Sequence, residues 1–140
     1  MDKKIKHLEM IQGVITRMAN NSFKLKGWTI TLVVATFAFI GKDIVDRKFI
    51  LVLYLPIIAF WALDSYYLQQ ERLFRSLYEY VRKLDENDID FSMKTNHKIF
   101  DDSNNKYCSS VKSKTEIGFY LPVIIVVGII IYICELMITP

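Results

Sequence analysis

FILVLYLPIIAFWALDSYYLQQERLFRSLYEYVRKL, residues 49–84, begins as uncharged apolar sequence and ends as a charged amphipathic pattern, with no break signal between the two. It reads as one long helix. At about 1.5 Å of rise per residue its length is roughly 54 Å, against an apolar bilayer core of about 30 Å, so the second half projects into water. There Leu73, Leu77, Tyr80, Val81 and Leu84 continue one stripe, while Glu71, Arg72, Arg75, Glu79, Arg82 and Lys83 form the wet side. Glu71–Arg75 and Glu79–Lys83 are i,i+4 pairs in the favourable order. Such a stalk needs a partner helix: the N-terminal helix, a second copy or another protein. The five stripe residues are therefore the candidates for helix packing and oligomerisation.

Working outward, two further apolar blocks appear, 28–41 and 117–134. The last, IGFYLPVIIVVGIIIYIC, has 18 positions without a charge, the usual length of a spanning helix. The shorter blocks 28–41 and 49–63 are joined by a charged turn within 41–48, GKDIVDRK, and together make a membrane hairpin. With 52% apolar residues in 140, the composition exceeds that of a small soluble domain. The expected fold is an all-α integral membrane protein with three transmembrane helices, an amphipathic N-terminal helix and a second span extended into a cytoplasmic stalk. Its segments are a cytoplasmic helix at 1–22, a transmembrane hairpin at 23–67 with spans about 25–41 and 48–66, a stalk at 68–84, a polar cytoplasmic connection at 85–116 and a third span at 117–137.

Sidedness follows from basic residues. Six Lys or Arg precede Trp28, three lie in the hairpin turn and nine lie between Tyr66 and Glu116. The positive-inside rule places the N-terminus and the 66–116 segment in the cytoplasm and the C-terminus outside. The first apolar run lacks a small-x-small cleavage site, so the first helix is expected to stay in the mature chain. Cys108 and Cys134 fall in different environments on this topology and imply no disulfide. The net charge of +3 is unremarkable: it reflects this sidedness, and nothing in it asks for nucleic acid.

Residues 3–19 place Ile5, Leu8, Ile11, Ile15 and Met18 at helical spacing, an apolar stripe for the membrane interface or, preferably, for the stalk. Asn20, Asn21 and Ser22 supply capping chemistry, so a break there is expected, with a continuous helix as the alternative. Trp28, Trp61, Tyr66 and Tyr67 are interface anchors, with Asp64 a lone carboxylate among them. That carboxylate belongs at the interface, in a pair or beside water. Pro56 and Pro122 sit in similar Tyr-Leu-Pro settings and would kink the second and third spans. Thr29, Thr31, Ala35, Thr36 and Ala38 give the first span a small-residue face suited to helix packing.

Residues 85–116 read as a mostly irregular connection with a short helix before the third span. Asp85, Asp88 and Asp90 do not fit a calcium loop, because Ile89 stands where a ligand belongs and no glycine makes the turn. His97 and Cys108 are too few for zinc. No nucleophile–base order and no phosphate-cradling loop is present, and His7 and His97 both fall in water-facing segments, so no catalytic residue, cofactor or metal is expected.

RMANNSFKLKGWTITLVVA at 17–35, YLPIIAFWALDSYYLQQERLFRSLYEYVR at 54–82, DFSMKT at 90–95 and SKTEIGFY at 113–120 resemble a widespread family of small, largely uncharacterised bacterial inner-membrane proteins. The resemblance brings no catalytic residues. The layout of cytoplasmic helix, membrane hairpin and long cytoplasmic helix is also similar to the two-transmembrane effectors of the SMODS- and SLOG-associating family, which implies membrane perturbation in anti-phage defence; the third span departs from that pattern. Three functions compete. A homo-oligomeric, pore-forming effector ranks first, a membrane anchor or adaptor recruiting a cytoplasmic protein through the stalk second, and a small transporter third. All three have the lipid bilayer as a partner.

Overall fold

The computed structural model describes residues 2–40, 51–95 and 102–136. The hairpin turn at 41–48, His97 and the tail at 137–140 lie outside them, apart from the helical end of the first apolar block. Four α-helices form among the described residues: α1 (Asp2–Ile40), α2 (Tyr54–Lys83), α3 (Tyr107–Val111) and α4 (Lys114–Leu136). There is no strand among them. The helices build two compact units, one from 1–23 with 65–110 and one from 24–64 with 111–140.

The break expected at Asn20, Asn21 and Ser22 does not occur; α1 runs through all three. These residues are only modestly poor helix formers, and Ile15 and Leu25 are buried on either side, so packing holds the ladder across them. The 49–84 expectation shortens at its start: within the described residues a 3-10 turn at 51–53 precedes α2. Pro56 consequently stands in the first turn of α2, where an amide has no intrahelical acceptor to lose. Pro122 lies inside α4 and does remove a ladder bond.

In the first unit the stripes of α1 and α2 meet. Ile11 and Ile15 are buried with Leu77 and Val81, and Leu8, Leu73, Phe74 and Tyr78 pack around them. The chain after α2 returns across this core and adds Ile89 and Met93. Its path is fixed at both helix ends. Lys4 Nζ donates to the Leu84 carbonyl at 2.7 Å, a cation at the negative end of α2, and Glu86 Oε1 accepts from the Lys3 amide at 3.4 Å, an anion at the positive end of α1. His7, expected to face water, is buried instead: the returning chain covers it, with Nε2 3.1 Å from the Ser92 carbonyl and the ring 5.4 Å from that of Phe91. Phe91 has φ 55, an uncommon conformation for a bulky residue.

The 85–116 connection is more ordered than expected. A 3-10 turn at Glu86–Asp88 and another at Ser103–Asn105 precede α3. Asn105 is buried; its side-chain amide donates to Ser76 Oγ at 3.1 Å and its carbonyl accepts from Gln69 Nε2 at 3.1 Å. Arg72 adds a bond to the Asn104 carbonyl at 2.9 Å, so this segment is clipped to the polar side of α2. On the same helix Arg75 pairs with Glu71 at 2.7 Å, whereas Glu79 pairs with Arg82 at i,i+3 rather than with Lys83.

In the second unit Val33, Leu53, Ile57, Tyr120 and Val127 are buried together. α4 starts at Lys114, three positions before the expected 117, because Ser113 accepts from the Glu116 amide at 3.2 Å and caps the helix. Residues 51–83 and 114–133 are long and apolar enough to cross a membrane. The part of α1 from 25 to 40, expected as the first span, does not reach that measure within the described residues. Thr29, Thr31 and Thr36 dilute a short apolar run that Lys24 and Lys26 border.

Candidate functional site

One face of each long helix in the second unit carries polar side chains into its interior. On α1 Lys26 and Thr29 are three positions apart, in line with the core residue Val33. On α2 the face runs Ile57, Trp61, Asp64, and on α4 Glu116 and Tyr120 are i,i+4 neighbours. Where these faces meet, Lys26 Nζ donates to Asp64 Oδ2 and, at 3.0 Å, to Glu116 Oε1. Tyr120 OH donates to the same Asp64 Oδ2 at 3.0 Å. The ammonium lies 5.8 Å from the Phe119 ring centroid and 5.9 Å from that of Tyr120, within cation–π range. Trp61 stacks on Tyr120 at 5.8 Å and 10°. Thr29 is buried beside this face and returns its hydroxyl to the Leu25 carbonyl at 2.8 Å.

The two carboxylates are closed off from water, while the Lys26 side chain stays partly exposed. Asp64 and Glu116 are 0% and 1% exposed, and Asp64 Oδ1 and Glu116 Oε2 are buried with no hydrogen-bond partner. One ammonium faces two carboxylates. Glu116 also occupies the third helical position of the Ser-x-x-Glu sequence after the cap, from which a carboxylate usually reaches back to its own helix end. Here Oε1 goes to Lys26 instead, so the start of α4 is tied to α1 by charge and hydrogen bonding.

Asp64 was expected at the interface, paired or beside water, and it is paired. Its partners Lys26 and Tyr120, and Glu116 on the same ammonium, were not expected. Trp61 belongs to the cluster, Trp28 is exposed on the same unit, and Tyr66 and Tyr67 lie edge to face at 5.8 Å in the first unit. Leu77 and Val81 are buried against α1, with Leu73 packed beside them. Tyr80 is exposed and Leu84 half-buried. A signal for the missed residues does exist. Lys26, Asp64 and Glu116 each border an apolar block at its predicted cytoplasmic end, which puts three ionisable groups at one level.

Chemically, the arrangement can hold three helices together and exchange protons. It contains no activated nucleophile. Among the described residues no three His, Cys, Asp or Glu side chains come together as metal ligands. No protein-family model, curated protein or solved structure matches the chain.

Proposed function

We propose that this is a multi-pass protein of a bacterial inner membrane that anchors a closed helical unit in the cytoplasm, where the unit recruits a protein partner. The observation that carries the reading is the inverted surface of the second unit. Its polar cluster is inside, while Val34, Leu55, Ile125, Ile129 and Tyr132 are among the large side chains that face outward. Only 22% of the apolar window in 51–83 and 17% of that in 114–133 is covered within the chain. A core helix of a water-soluble protein would be mostly covered, so lipid is the fitting surround for these faces. The apolar end of α1 completes the three spans of this reading. The first unit has the opposite character, an apolar core under charged side chains, as suits water. The sidedness rests on the fifteen basic residues at the N-terminus and in 66–116 against three in the turn, and the bacterial membrane on the resemblance of the motifs.

The stalk stripe favours an anchor over a stalk-driven assembly. Leu77 and Val81 are occupied by Ile11 and Ile15 of the same chain, so the centre of the stripe is covered against a second copy. A homo-oligomeric membrane-perturbing effector is the second reading, supported by an apolar groove of about 340 Å³ between Trp28, Thr31, Leu32, Ala35 and Phe60 on the outward side of the second unit. The mass of the protein expressed alone and extracted into nanodiscs separates the two. A monomer or dimer, with no growth arrest or dye entry on overexpression, is expected for the anchor. A discrete assembly of about four copies or more, with dye entry, would replace it by the effector.

A further inference from the structure

We propose that the Lys26–Asp64–Glu116 cluster is a proton-binding site, taking one proton on Glu116 Oε2. The argument begins with charge. One ammonium between two carboxylates leaves one net negative charge in the interior, and an uncompensated buried charge is costly. It continues with hydrogen bonding. Both carboxylates commit one oxygen to Lys26 and keep the other buried and unpartnered. A carboxylate can only accept, whereas a protonated carboxyl also donates. A single proton on Glu116 Oε2 therefore cancels the charge and turns an orphaned acceptor into a donor.

The groups that face the site come from all three helices: Lys26 from α1, Asp64 from α2, and Glu116 and Tyr120 from α4. Asp64 Oδ2 accepts from both Lys26 and Tyr120 whereas Glu116 Oε1 accepts from Lys26, so Asp64 is the better-stabilised carboxylate and the proton falls to Glu116. A metal ion is the poorer ligand here. Hard cations gather about six oxygens or more, and this site offers two uncommitted ones. The step is simple in balance: an O–H bond forms on a carboxylate oxygen, the proton comes from water, and no electron pair moves elsewhere. The inference concerns the interior of one unit and holds for either functional reading.

Infrared spectroscopy of the full chain in nanodiscs, stepped from about pH 4 to about pH 10 in light and heavy water, tests it. Exposed carboxyls lose their protons near about pH 4. The expected result is a carbonyl stretch of a neutral carboxylic acid that persists well above that pH, shifts in heavy water and amounts to one group per chain. It is absent from Asp64→Asn and from Glu116→Gln, because either variant leaves Lys26 with a single carboxylate. Circular dichroism verifies the fold of both carboxyl variants. No acid band above about pH 5.5 overturns the proposal, because Glu116 is then ionised. So does a band that survives both carboxyl substitutions, or a carboxylate shift produced by sodium at fixed pH, which would identify an alkali cation as the occupant.

Discussion

Lys26 is the residue on which the second unit depends most, because a single ammonium satisfies two carboxylates that are otherwise enclosed. Its removal strips the carboxyls of their ammonium, and breaking a buried pair in this way costs about 3–5 kcal/mol. Lys26→Met should lower the unfolding midpoint in mild detergent accordingly. The triple substitution Lys26→Met, Asp64→Asn, Glu116→Gln should recover most of the loss, since it replaces an uncompensated charge by neutral groups of similar shape. A triple variant no more stable than Lys26→Met would show that ion pairing is not what holds the site.

At the scale of elements, two features carry separable energies. Ser113 fixes where α4 begins, and replacing a capping serine by alanine costs about 1 kcal/mol. Ser113→Ala should show faster amide exchange in the first turn of α4, with Ser113→Asp restoring protection. The α1–α2 core of the first unit is apolar, so truncation there acts through a cavity. Ile11→Ala and Leu77→Ala are each expected to cost about 2–5 kcal/mol, read as increased protease cleavage within 65–110. Their effects should fall short of additive, because both residues belong to one cluster. Much at this scale was legible. The stripe Leu73, Leu77, Val81 and the matching Ile11, Ile15 are visible as helical periodicity, and packing of one on the other follows from their complementarity. Two things were not. His7 looks exposed on its own helix and is buried only because a distant segment, 89–93, returns over it. Asn20 to Ser22 look like a cap, yet tertiary packing on both sides overrides a weak local preference.

For the molecule as a whole, the proposed topology makes a statement about Cys108, which is exposed in the first unit. In a Cys134→Ser background, a membrane-impermeant maleimide should leave Cys108 unlabelled in intact spheroplasts and label it in inverted vesicles. The reverse pattern would place 65–110 outside the cell. The overall layout was readable because apolar blocks and basic residues are properties of the linear chain. The polar cluster was not read, although Lys26, Asp64 and Glu116 all stand at block ends, because a sequence displays the face of each helix but not which faces meet.

The positions of those three residues along the chain also bear on how the unit is made. Lys26 is synthesised first, Asp64 next and Glu116 last. Once α1 and α2 are made, the Lys26 ammonium has one carboxylate, Asp64, and that pair is neutral before α4 exists. Glu116 then enters a site that needs no charge from it. α4 thus brings the excess charge to the cluster, and on the proposed proton site its docking is the step of assembly expected to respond to pH.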